Sequence, residues 1–155
     1  QAVVTLESSL EAMFYIKACI KSICSLDVRM SLGFGTIDHL SDEIKTSTGE
    51  AFIYSGQAFD DLNKELILVK SRWAEWDERS NVILQLGCEL ANKWTNNMAM
   101  TVKAVVENPQ ASQHEIAKIL NRKYQSQVST ELQKANWTKI KKGIEFSTHE
   151  LLKLC

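Results

Sequence analysis

Amide and hydroxyl side chains crowd one short stretch, QSQVSTELQK, in which Gln125, Ser126, Ser129, Thr130 and Gln133 alternate with apolar residues. Amides and hydroxyls on one short helix suit hydrogen bonding to base edges in a DNA major groove. Cations flank the stretch at Arg122, Lys123, Lys134 and Lys139, where they are expected to sit near phosphates while the polar face meets bases. An ordinary αα-hairpin with a solvated polar face has the same spacing, and the two readings stand side by side.

Presenting such a face takes two helices and a turn. Gln113, Ile116, Ala117 and Leu120 mark the first helix, and Val128, Leu132 and Ala135 mark the second. Ile116, Leu120, Val128 and Leu132 are expected to point inward, and the small Ala117 lets the helices cross closely. The linking LNRKYQ is about one residue longer than the tightest helix-turn-helix connection. Asn121 stands where glycine is usual, and asparagine tolerates the left-handed conformation such a turn needs. Tyr124 is expected as the apolar plug after the turn. The charge agrees: residues 1–109 hold 10 Lys+Arg against 15 Asp+Glu, or −5, whereas residues 110–155 hold 8 against 4, or +4. A basic end on an acidic body suits nucleic acid, and it equally suits a solvated surface.

The rest of the chain supplies the platform. Leu6, Leu10, Met13, Phe14, Ile20 and Ile23 predict an amphipathic helix to about Cys24, after a β-branched AVVT that resembles a strand end. Residues 26–35 alternate, with Val28, Met30, Leu32 and Phe34 to one side, and predict a strand. Its G-F-G lacks the third glycine of a nucleotide fingerprint, so letting the sheet twist or letting a neighbour approach closely is the simpler use. Residues 49–62 predict a helix with Phe52, Ile53, Ala58, Phe59 and Leu62 as core and Gly56 inside it. A short strand follows at 66–70. From 72 to 108 a stripe of Val82, Leu86, Leu90, Trp94, Met98, Val102 and Val105 predicts one long helix or two nearly collinear ones, ended by Pro109. The stripe also offers a surface for a homodimer. Trp137, Ile140, Ile144, Phe146, Leu151 and Leu152 predict a last helix. The fold class is α+β, divided as 1–70, 71–109 and 110–155: an α/β layer, a connecting helix and a helix-turn-helix domain.

The segment VRMSLGFGTID…STGEAFIYSGQAFDDL, then a Trp-containing helix and a Q-x-E-I-A helix-turn-helix, resembles the SatD-like family of bacterial proteins. The resemblance covers most of the chain and is sharpest at Gly49–Gly56, Asp60 and Gln113–Leu132. It implies a partial nucleotide-cyclase-like layer and a DNA-associated regulator. The family begins with a strand and an R-G-D-S-F-Q segment, of which Gln1 would be the last residue, so the natural N-terminus is expected to be missing here. Active cyclases of this fold use two metal-binding Asp residues on strands that would precede Gln1. They also carry an Asn and an Arg near Gln57–Leu62, where this chain has Asp60 and no Arg. The resemblance therefore implies a non-catalytic scaffold, with Asp60 and Asp61 as a solvated face.

Nothing else carries chemistry. His39, His114 and His149 stand singly, and Cys19, Cys24, Cys88 and Cys155 make no C-x-x-C pair or zinc spacing. No P-loop, nucleophile elbow or HExxH is present. No apolar run reaches the ~18 residues of a membrane span. The expectation is a cytoplasmic regulator, not an enzyme, without cofactor or metal, that binds double-stranded DNA. The alternatives are a protein–protein interaction module, and a nucleotide-binding or cyclase-like enzyme whose catalytic strands lie upstream of Gln1.

Overall fold

The computed structural model describes residues 2–23, 26–41 and 46–155. Cys24 falls outside the described residues. Seven α-helices and two β-strands lie among those described, in the order α1 (Leu6–Ile23), β1 (Met30–Gly33), α2 (Glu50–Asp61), β2 (Ile67–Lys70), α3 (Ala74–Asn92), α4 (Asn96–Glu107), α5 (Gln113–Ile119), α6 (Gln125–Lys134) and α7 (Trp137–Leu152). The fold is mixed α and β, mostly helical, with one small parallel sheet. The AVVT segment joins no strand. No helix of the described residues is long and apolar enough to cross a membrane.

Two compact units emerge. One comprises residues 1–10, 29–86 and 143–155, the other residues 11–28 and 87–142. The boundaries fall inside α1, α3 and α7, so three helices contribute residues to both. Hydrophobic periodicity cannot reveal this, because a helix keeps one period whichever core it serves.

In the first unit β1 and β2 run parallel, with Met30 opposite Ile67 and Leu32 opposite Val69. Met30 N–H donates to Leu66 O at 2.8 Å and Phe34 N–H to Lys70 O at 2.9 Å. The alternate residues Ser31 and Gly33 therefore turn their peptide groups to the other edge. At the far edge of β2, Asn81 of α3 takes the place of a strand. Its Oδ1 accepts from Val69 N–H at 2.8 Å and its Nδ2 donates to Val69 O at 2.9 Å. Phe34 meets the buried Trp76 edge-on at 5.3 Å, and the Trp76 indole N–H donates to Ser147 O at 2.9 Å. Helix α2 lies so close to β1 that a Cβ on Gly33 would collide with the Ala51 carbonyl and the Ser55 amide. Close approach is the use the structure makes of that glycine.

Several expected core positions face outward instead. Ile53 and Phe59 of α2 are exposed, whereas Ala58 and Leu62, expected in the core with them, are buried. The tight approach of α2 to β1 admits small residues on that face and turns the larger ones out. In α3, Val82 and Leu86 are exposed, while Trp76, Ser80, Leu84, Cys88 and Ala91 form the buried face. The reason is a break at residues 93–95. Trp94 N–H closes a turn on Ala91 O, and Thr95 caps α4 by accepting from Met98 N–H at 3.4 Å. A stripe extrapolated back through that break starts from the wrong phase. Ile23, Phe146 and Leu152 are likewise exposed.

Gly56 has no neighbour near its missing Cβ and sits on an exposed face of α2. Gly56→Ala should therefore stabilise the protein by about 1 kcal/mol through helix propensity and reduced unfolded-state entropy. A denaturant midpoint that falls in this variant would show that the glycine has a packing role.

The second unit rests on Trp94 and Trp137, edge-on at 6.3 Å, with the Trp94 indole donating to Ala135 O at 2.8 Å. In the α1 part of this unit Lys17 is fully buried and pairs with Asp27 at 2.5 Å. Lys21 reaches the other Asp27 oxygen at 3.3 Å and donates to Asn92 O at 3.1 Å.

Candidate nucleic-acid interface

Helices α4, α5 and α6 pack around Ala104, Ile116, Ala117 and Val128, with Val105, Ala111, Leu120 and Leu132 partly buried against them. The sequence expected Ile116, Leu120, Val128 and Leu132 inward, and all four pack there. Asn108, before Pro109, leaves helical geometry at φ −129° and ψ 66°, which ends α4. Ser112 then starts α5: its hydroxyl accepts from Glu115 N–H at 3.3 Å, and Glu115 Oε2 accepts from Ser112 N–H at 2.7 Å. The backbone N–H and hydroxyl of Ser112 hold the exposed Glu115 carboxyl below its usual pKa.

The turn closes as a Schellman motif. Arg122 N–H donates to Ala117 O at 2.8 Å and Asn121 N–H to Lys118 O at 3.1 Å, with Asn121 left-handed at φ 53°. Asparagine thus fills the position where glycine was expected. Tyr124 does not act as a plug. Its ring is exposed, with Lys123 Nζ 5.2 Å from the ring centroid, and its N–H is held by Gln127 Oε1 at 3.1 Å. The longer turn carries the ring past the core, which Leu120 and Leu132 already close.

The face of α6 opposite that core is polar and open. Gln125, Ser126, Ser129, Thr130 and Gln133 are all exposed, while Val128 on the other side is buried. At 3.6 residues per turn these five span an arc of about 140°. Lys123, Lys134 and Lys139 are exposed around it. Arg122 is placed differently from expectation. Its guanidinium turns inward to Glu131 at 3.2 Å, its Nε is buried without a partner, and Thr101 donates to the same carboxylate. A carboxylate one turn before Lys134 captures the cation nearest the turn, so Arg122 braces α6 rather than reaching outward. Gln113, which the sequence marks as the start of the first helix, has its side-chain amide bonded to that of Gln125, a pairing the sequence reading did not include.

Elsewhere the side chains offer less. Asp60 is exposed, and Asp61, also exposed, pairs with Lys70 at 3.0 Å. Cys19, Cys88 and Cys155 are free thiols. Among the described residues no group of three His, Cys, Asp or Glu side chains is placed to hold a metal ion. Compared with known proteins, this chain matches no family model, no curated protein and no solved structure.

Proposed function

We propose that this chain is a DNA-binding transcriptional regulator of SatD-like type, in which α5 and α6 act as a helix-turn-helix and β1–α2–β2 belongs to a non-catalytic cyclase-like scaffold. One observation carries the reading: five amide and hydroxyl side chains stand exposed on a single arc of α6, opposite a closed apolar core. Helix α6 enters the major groove with Gln125, Ser126, Ser129, Thr130 and Gln133 toward the base edges. Lys123, Lys134 and Lys139 face phosphates, and the +4 charge of residues 110–155 favours the polyanion.

Two sets of variants separate backbone from base contacts. Lys134→Ala should weaken binding to every duplex and lower the salt slope by about one counterion. Thr130→Ala or Gln133→Ala should cost about 1–3 kcal/mol on the preferred site and little on other sequences. Fluorescence anisotropy with labelled duplexes over a salt series measures both. Absence of binding to any duplex at low salt would overturn the DNA reading, and the polar face of α6 would then serve a protein partner.

A further inference from the structure

Three glutamines lie in or beside the exposed face of α6, and they are not equivalent. The Gln127 amide is already occupied, its oxygen accepting from Tyr124 N–H at 3.1 Å. Gln133 lies near the end of the helix, before the terminal Lys134. Gln125 is the first residue of α6, where a helix lying in the major groove makes its base contacts. Across the turn its Nε2 donates to Oε1 of Gln113, the first residue of α5, and both residues are exposed.

An exposed hydrogen bond between two flexible side chains exchanges readily with water and contributes little to folding. What it does is orient. A glutamine amide has two N–H donors and one oxygen acceptor. When Gln113 takes the N–H that points away from the Gln125 oxygen, the Gln125 amide presents its second N–H and its oxygen side by side. This is a donor next to an acceptor. In the major groove adenine offers the complement, N7 as acceptor beside the N6 amino donor, whereas guanine offers two acceptors.

Building on the DNA reading above, we infer that Gln113 is a positioning residue that holds Gln125 for bidentate contact with adenine, so that the preferred duplex carries adenine at the base pair facing the start of α6. Gln113 itself need not touch a base. Its role is to supply the acceptor oxygen that sets the Gln125 amide.

The test is selection from a random duplex library by the full chain, followed by anisotropy on the selected sequence. One fixed adenine should be enriched, and replacing it with guanine or with 7-deazaadenine should weaken binding by about 5- to 150-fold. Gln113→Met removes the acceptor at similar size. It should abolish that discrimination while leaving affinity and salt slope on unselected duplex unchanged. Gln113→Glu keeps an acceptor oxygen and should retain the adenine preference. Enrichment of no adenine, unaltered discrimination in Gln113→Met, or equal loss in both variants would overturn the inference and leave the DNA reading standing. Failure of the wild-type chain to bind any duplex at low salt would overturn both.

Discussion

Trp76→Ala is expected to destabilise the sheet-bearing unit by about 3–5 kcal/mol, in the range for deleting a buried aromatic. Trp76 is only 2% exposed, stands edge-on to Phe34 at 5.3 Å and donates its indole N–H to Ser147 O. Truncation removes the ring that fills the space beside the sheet and leaves the Ser147 carbonyl without its donor. Trp76→Phe separates the two effects, because it keeps an aromatic ring and loses the N–H, and should cost about 1–3 kcal/mol. Trp73 is the control: it is half-buried, with the Arg72 guanidinium 4.8 Å from its ring centroid, so its replacement should cost less. Urea unfolding followed by circular dichroism ranks the three. A Trp76→Ala midpoint close to wild type would show that the ring is not central to this core.

Asp27→Ala should be nearly as damaging, for an electrostatic reason. Lys17 is fully buried, and its partner is the Asp27 carboxylate. Removing one partner of a buried pair costs about 3–5 kcal/mol, because the other charge is left in a poor solvent. The lower end applies here, since the Asp27 side chain keeps 27% exposure. The same contact predicts an acid response. Burial pushes the Asp27 carboxyl up, but the hydrogen bonds from Lys17 and Val28 N–H and the charges of Lys17 and Lys21 outweigh it, so it titrates below its ordinary value. A depressed carboxylate stabilises fully above the unfolded-state pKa of about 3.9 and loses that contribution as pH falls through the folded value. Urea midpoints of wild type and Asp27→Asn should therefore differ most near neutral pH and converge in acid. A gap that is constant across this range would show that Asp27 does not titrate as a partner of Lys17.

The core of the α5–α6 hairpin was legible because it is local. Ile116, Ala117 and Val128 lie within a few turns of one another, and each helix is short enough to hold a single phase. The first strand was legible as alternation and the second as the short run LILVK, though both pair over fewer residues than expected. The buried face of α3 was hidden because its members include Ser80 and Cys88, and because the phase resets at Thr95. Lys17 was hidden for a similar reason: a lysine in an apolar stripe looks like surface until Asp27 is seen to reach it. Arg122 and Gln113 depend on partners across a turn, Glu131 and Gln125, and spacing along one helix cannot supply such pairs. No sequence signal marks Asn81 as a backbone mimic.

That asparagine gives the sheet a polarity of growth. A two-stranded parallel ladder has two sides on which a further strand can add, since each outer strand offers peptide groups at every second residue. By engaging both peptide groups of Val69, Asn81 works as a chain terminator at β2. Pairing through Val69 is thereby closed, and the Ser31 and Gly33 peptides of β1 form the opposite side of the ladder.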